Sequence, residues 1–217
     1  TKRETKHTAP PKLLDLAGMS SILASRGMTS DQVLETYQKM YEAQVVSYPR
    51  TEDTTITNEQ FKQLLHDMPR IAAVVGIDTS QLTHTAPRKS HVKDAGAHGA
   101  NRPGPNVPAS KEQIVGTYGD IGWAIYELLA KSALRMFAED YEYERVTGVV
   151  DDYPSFVGHI NVPVSQGWKG IFDDSDDTDD DPASLGSNAE PVKHEIVNPR
   201  PAKPTMKWLM KELRDHQ

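Results

Sequence analysis

Residues 47–53 place several chemically active side chains next to one another: a phenol, a guanidinium, two hydroxyls and two carboxylates, in the order Ser-Tyr-Pro-Arg-Thr-Glu-Asp. If the backbone is extended here, Tyr48 and Arg50 lie on the same face, because side chains alternate along a strand. A phenol with a pKa of about 10 is a poor nucleophile at neutral pH, but a nearby cation favours the phenolate and neutralises charge on an attacked phosphoryl group. The arginine fork also matches two phosphate oxygens. The segment therefore suits phosphate chemistry, with a half-buried aromatic residue beside a surface ion-pair partner as the alternative.

A second region, residues 84–107, is locally basic, with four cations and three histidines against one anion. Its prolines and glycines predict a long loop over 79–110, and a loop of that length in a compact domain is usually functional or disordered. His98 is the candidate residue of this loop, because the glycines around it would let backbone amides approach a phosphate. An ordinary loop histidine is the alternative.

Helix-start patterns predict the elements that position the tyrosine. Thr29 with Gln32 makes a capping box and predicts a helix over about 30–44. Thr57 with Gln60 repeats the pattern, and the helix that it begins is predicted to stop at Pro69. The tyrosine therefore lies between two predicted helices.

Further along, Ser110 and then Asp120 offer caps for a helical stretch to about residue 137. From Tyr141 the apolar period shifts toward two, which predicts strands over 145–150 and 156–164 joined by a loop. An acidic low-complexity loop over 173–188, a strand over 192–197 and a helix from Thr205 complete the prediction. The predicted class is α+β, with a mostly helical domain (1–138) followed by a small antiparallel β-rich segment (139–217).

Composition excludes several classes of protein. Without cysteine there is no disulfide framework, no thiolate zinc site and no cysteine nucleophile. The N-terminus lacks an apolar signal region and no apolar run is long enough to span a membrane, which predicts an intracellular protein. The net charge of −7 equals the charge of seven aspartates between 173 and 181, so the rest of the chain is neutral. The overall acidity is therefore local and does not exclude a nucleic-acid partner.

The tyrosine segment resembles the active-site motif of the type IA DNA topoisomerases, especially the topoisomerase III branch, in which Tyr-Pro-Arg-Thr is followed by an acidic residue. Residues 36–42 resemble the helix that precedes this tyrosine, and 97–103 (Ala-His-Gly-Ala-Asn-Arg-Pro) resemble the downstream histidine motif of the family. Three further stretches match in order along the chain: 10–24, 167–172 and 201–213.

This resemblance implies a reaction. Tyr48 would attack a DNA phosphodiester, leaving a 5′-phosphotyrosyl link and a free 3′-hydroxyl, so that a second strand can pass and the cut can be religated without ATP. Arg50 would hold the phosphate and stabilise its transition-state charge. The remaining residues implied to bind DNA are His98, Arg102, Thr51 and Glu52. Two positions depart from the family pattern: Asn101 replaces a branched apolar residue, and Glu52-Asp53 replaces Asp-Ser.

The family's Toprim domain, whose acidic cluster binds magnesium, is not recognisable before Tyr48. The chain is therefore expected to be a fragment, the helical gate domain with part of the β-rich arch, inactive alone and carrying no metal itself. Its expected partners are single-stranded DNA and the Toprim-containing remainder of the same parent chain, in the cytoplasm on a chromosome or plasmid. A non-catalytic module that stacks single-stranded DNA on Tyr48 is the alternative, and a scaffold without a DNA role is a third.

Overall fold

The computed structural model describes residues 2–94, 98–150, 153–172 and 212. The described residues form two compact units: a helical unit of residues 11–94 and 98–138, and a sheet unit of residues 2–10, 139–150 and 153–172. The predicted acidic loop over 173–188, the strand over 192–197 and the helix from Thr205 lie outside the described residues. The combination of packed helices with an antiparallel sheet confirms the α+β class.

The helical unit contains α1 (Leu16–Ser25), α2 (Ser30–Glu42), α3 (Asn58–Val75) and α4 (Lys111–Arg135). Helix α4 packs against both α2 and α3. The core of the unit is built around large side chains that are fully buried, among them Tyr37, Tyr126 and Phe137. Helix α1 was not predicted; its N-cap is Asp15, whose carboxylate accepts a hydrogen bond from the Gly18 amide.

Both predicted capping boxes are present. Thr29 caps α2 and Thr57 caps α3, each with a glutamine at the third helical position whose side chain reaches back to the capping residue. The predicted end of α3 is wrong, because the helix continues through Pro69 to Val75. Proline removes one backbone donor, but Ile71 and Ala72 beyond it are buried in the core and hold the last turns in place.

The first of the two caps predicted for the long helix α4 is present, and the helix is kinked where the second, Asp120, was predicted. Ser110 is its N-cap, and Gly119 just before Asp120 has a non-helical backbone (φ 71°, ψ −172°) that kinks the helix. Residues 79–110, apart from 95–97, form the predicted loop, with one 3-10 turn at Thr79–Gln81. Isolated bridges pin this loop to the earlier chain, pairing Val46 with Pro103, Leu14 with Asn101 and Ile56 with Val92.

The sheet unit is an antiparallel sheet with strand order β1 (Lys2–Thr8), β2 (Tyr141–Val150), β3 (Tyr153–Ser165). The predicted hairpin of β2 and β3 is confirmed, with longer strands. Strand β1 was not predicted, and it pairs with β2, which lies far from it along the chain. Residues 167–172, one of the stretches that match the family, form the short helix α5 (Gly167–Phe172), whose Trp168 is buried and donates its indole N–H to the Thr8 carbonyl. No described helix of the protein has the length and apolarity needed to cross a membrane.

Candidate active site

The segment that carries Tyr48, residues 45–53, leaves α2 through a turn at Gln44, whose φ is positive at 59°. Val45 and Val46 are buried, and Val46 pairs with Pro103. At the next residue, the Ser47 amide donates to the Arg102 carbonyl at 3.0 Å, and the Arg102 amide donates to Ser47 Oγ at 3.1 Å. A short antiparallel contact with the distant loop therefore fixes the position of the backbone just before Tyr48.

Two aromatic rings flank the half-buried Tyr48 side chain. The ring of His98 lies 4.6 Å from the Tyr48 ring, centroid to centroid, with a 38° tilt. The ring of Tyr41, on the last turn of α2, lies 5.5 Å away in an edge-on arrangement. His98 is exposed and Tyr41 is 37% exposed, so both approach Tyr48 from the solvent side. The structure thus brings together Tyr48 and His98, which were predicted from separate motifs to act on DNA.

The other residues of the motif divide into exposed and buried side chains. Arg50 and Glu52 are exposed, whereas Thr51 is buried and holds a turn. Thr51 Oγ1 accepts from the Asp53 amide at 3.1 Å, and the Thr51 amide donates to the Pro49 carbonyl at 3.1 Å. Because the chain bends at Pro49 and no strand continues past it, the alternation expected for an extended backbone does not set the direction of Arg50.

The loop that carries His98, residues 98–104, is tied to two elements. The Gly99 amide donates to Asp53 Oδ2 at 3.1 Å, and Gln60 Nε2 of α3 donates to the His98 carbonyl at 3.2 Å. Gly99 has a φ of 71°, and a Cβ on it would collide with Gln60 Oε1. Asp53, to which the sequence assigned no role, therefore joins the Tyr48 segment to this loop.

Arg102 is engaged within this loop. Its Nη1 donates to the His98 carbonyl at 3.2 Å and to the Ala100 carbonyl at 3.0 Å. Burial lowers the pKa of the guanidinium from its ordinary value, and Tyr37 opposes this shift. Arg102 thus fixes the backbone next to His98, and its predicted contact with DNA stays a prediction.

Asn101 and Tyr37 are site residues that sequence reasoning missed. Both are fully buried, and the Tyr37 hydroxyl lies 3.0 Å from the Asn101 side-chain amide. Burial raises the pKa of the Tyr37 hydroxyl, against a smaller opposing effect of a side-chain hydrogen bond with Ser47. The only sequence signal was a polar residue where the family motif has an apolar one.

The magnesium implied by the family resemblance does not fit the described part of the chain. Among those residues, no group of three or more histidine, aspartate or glutamate side chains could hold a metal ion. The site described here presents one phenol, one exposed arginine and one imidazole.

The fold and the site define a class of protein in which a helical unit presents a tyrosine beside a histidine loop. A family model described as DNA topoisomerase matches residues 1–209. The chain therefore belongs to this DNA topoisomerase family, the type IA enzymes.

Individual relatives agree with this assignment. The chain is 25% identical over 186 residues to DNA topoisomerase 3 of Bacillus licheniformis and 23% identical over 185 residues to DNA topoisomerase 3 of Bacillus subtilis. These matches cover 83% and 82% of the chain but only 25% of each relative, so the chain spans a quarter of their length.

A solved structure shows the same fold. Full-length topoisomerase I from Thermotoga maritima superposes with a TM-score of 0.60 at 19% identity. The superposition covers 99% of this chain and 36% of that one.

Proposed function

We propose that this chain is the tyrosine-bearing part of a type IA topoisomerase that changes DNA topology by cutting and rejoining one strand. Family membership supports a role in DNA topology, and the placement of Tyr48 against His98 supports Tyr48 as the reacting residue. This pairing carries the proposal, because the two rings come from motifs on separate loops and meet at a solvent-facing surface.

In the proposed step, Tyr48 Oη forms a bond to a backbone phosphorus of single-stranded DNA, and the bond from that phosphorus to the 3′ oxygen breaks. The phenol loses its proton and the departing 3′ oxygen gains one, so the protein holds the 5′ phosphate and the other DNA end is a 3′-hydroxyl. Religation is the reverse reaction. Since the phosphodiester is exchanged for a phosphotyrosyl link, no nucleotide is consumed.

The described residues have distinct parts in this step. Arg50 is exposed two residues after the phenol and would pair with the attacked phosphate, whose charge its planar fork matches. His98 would contact the DNA backbone beside the scissile phosphate. Thr51 is buried and would keep the turn that follows Tyr48, and the exposed Glu52 is free to face DNA.

Magnesium and the Toprim domain belong to the proposal as partners outside this chain. In the whole enzyme, magnesium would supply electrostatic stabilisation of the phosphate at the Toprim face. This chain would supply the phenol, the arginine and the surface that holds the DNA strand.

The test is a covalent-adduct assay with the complete parent polypeptide, magnesium and a 3′-labelled single-stranded oligonucleotide, stopped with detergent. The 3′ label is required because the protein stays attached to the 5′ phosphate of the downstream piece. We expect a labelled protein band that disappears in Tyr48→Phe, which keeps the ring between Tyr41 and His98 and removes only the hydroxyl.

A different result would favour the second candidate, a single-stranded DNA-binding module. The edge-on packing of Tyr41 and Tyr48 is the observation behind it, since exposed aromatic rings stack on bases. Retained, salt-dependent oligonucleotide binding with no adduct in the wild type would establish that module and overturn the proposed cleavage.

A further inference from the structure

Asn101 lies at a crossing of four segments of the helical unit. Its backbone amide donates to the Leu14 carbonyl at 2.8 Å, which ties it to the chain leading into α1. Its side chain is fully buried and reaches toward Tyr37 on α2 and toward the backbone of Tyr48. A buried amide without partners is costly, so its contacts decide what it does.

The Asn101 amide is satisfied at both ends in one orientation. In that orientation Nδ2 donates to the Tyr48 carbonyl at 3.0 Å and to the Tyr37 hydroxyl at 3.0 Å. Oδ1 then accepts from the Leu16 amide at 3.1 Å. The amide hydrogens thus face two oxygens, and the amide oxygen faces a donor, as hydrogen-bond chemistry requires.

The same amide reaches both ends of the turn that follows Tyr48. The Leu16 amide, which donates to Asn101 Oδ1, also donates to the Thr51 carbonyl at 3.0 Å. Asn101 therefore holds the Tyr48 carbonyl directly and shares with Thr51 the donor that closes the turn. Helix α2 supports the amide from behind, because the Tyr37 side chain is immobilised in the core.

We propose that Asn101 is a positioning residue for Tyr48, holding the Tyr48 carbonyl so that the phenol meets the DNA phosphate in the attacking direction. This inference rests on the proposed cleavage by Tyr48. The Tyr48 hydroxyl lies at the far end of its side chain, so a small rotation of the Tyr48 backbone displaces it. A misplacement of about 1 Å can slow a reaction about a hundredfold.

The first variant is Asn101→Leu in the complete parent enzyme, which keeps the volume and removes the donor. We expect the rate of adduct formation at saturating 3′-labelled oligonucleotide to fall by about tenfold or more. The dissociation constant of the oligonucleotide should change less than about twofold, because Asn101 is buried and does not face DNA. A rate equal to that of the wild type would overturn the inference.

A matched control is Asn106→Leu in the same loop. The Asn106 side chain also donates to a backbone carbonyl, that of Ala43 at 2.9 Å, which precedes the Tyr48 segment instead of lying within it. We expect this variant to form adduct at the wild-type rate. An equal loss in both variants would assign the effect of Asn101 to general loosening of the loop and contradict a positioning role.

The double variant Tyr37→Phe, Asn101→Leu separates positioning from stability. Asn101→Leu leaves the Tyr37 hydroxyl without its amide partner, and removing that hydroxyl as well should recover part of the lost unfolding midpoint. The adduct rate should stay low, since the Tyr48 carbonyl still lacks its donor. Joint recovery of midpoint and rate would contradict the inference.

Asn101→Asp keeps the size and shape if the leucine variant does not fold. An ionised aspartate cannot donate to the Tyr48 carbonyl, whereas a protonated one can. The ratio of its adduct rate to that of the wild type should therefore rise as the pH falls, and a flat ratio would overturn the inference. Absence of adduct in the wild type would instead refute the proposed cleavage itself, and Asn101 with it.

Discussion

The imidazole of His98 lies 4.6 Å from the ring of Tyr48, although the two residues belong to segments that are far apart along the chain and are joined by the pairing of Val46 with Pro103 and by hydrogen bonds such as that of the Gly99 amide to Asp53. The rings are tilted by 38°, and because His98 is exposed and Tyr48 is half-buried, the pair lies at the surface of the helical unit. This contact fits both a histidine that acts on DNA and one that only packs against the tyrosine.

Replacement of His98 tests this distinction. In the complete parent enzyme, His98→Phe keeps a ring beside Tyr48 and removes both nitrogens, and we expect adduct formation to fall at least about tenfold, as for loss of a donor to a reacting phosphate. His98→Ala should be at least as slow. His66→Ala, an exposed histidine on α3, serves as the control and should react like the wild type. A wild-type rate for His98→Phe would leave His98 with a packing role only.

Gly99 is expected to be required for the loop that carries His98. Gly99→Ala must adopt a φ of 71° and would also drive a Cβ into Gln60, whose side chain both caps α3 and donates to the His98 carbonyl. The left-handed backbone alone costs an alanine about 1–2 kcal/mol, and displacement of Gln60 would also break its hydrogen bonds with the Thr57 amide and the His98 carbonyl, at about 1 kcal/mol each. Urea unfolding of the chain measures both effects.

The matched control is Gly76→Ala, which has the same φ of 71° at the end of α3 but nothing within 4 Å of the added Cβ. We expect Gly99→Ala to lower the free energy of unfolding by more than Gly76→Ala does. Equal losses would mean that Gln60 moves aside without cost.

Stability should fall in mild acid because of His91. The ring is buried, with Nε2 2.8 Å from the Pro11 carbonyl and Nδ1 2.8 Å from Ser90 Oγ. A carbonyl only accepts, so Nε2 carries the hydrogen and Nδ1 accepts from the serine in the neutral ring. Burial lowers the pKa of His91 in the folded chain, with further lowering by nearby cations, while the Pro11 carbonyl opposes the shift.

The unfolded chain binds this proton with a pKa of about 6.5. The neutral His91 ring therefore makes its full contribution to the free energy of unfolding above a pH of about 6.5. This contribution is lost as the pH falls from there through the lower pKa of the folded chain. Urea unfolding at pH 8, 6 and 5 should show a smaller acid loss in His91→Gln than in the wild type. Parallel pH profiles for the two proteins would contradict this assignment.

Local patterns predicted much of the helical framework. The Thr29–Gln32 and Thr57–Gln60 capping boxes, and the Ser110 cap of α4, involve hydrogen bonds within a few residues. The hairpin of β2 and β3 was predicted for the same reason, because its strands follow each other closely. The motif around Tyr48 and the histidine motif were both recognisable as well, since each is a short run of residues.

Distant contacts decided the rest. Pro69 reads as a helix end, yet the burial of Ile71 and Ala72 carries α3 past it. The strand β1, rich in charge, exists only because β2 pairs with it.

From the sequence alone, the kinds of chemistry available, the caps and the family resemblance could be determined, because these depend on residue types and short spacings. The distance between the Tyr48 and His98 rings, the tie from Asp53 to Gly99 and the contact of Asn101 with the Tyr48 carbonyl were decided by the tertiary structure. Each of these contacts joins residues that are far apart along the chain, and their geometry exists only once the intervening helices have packed.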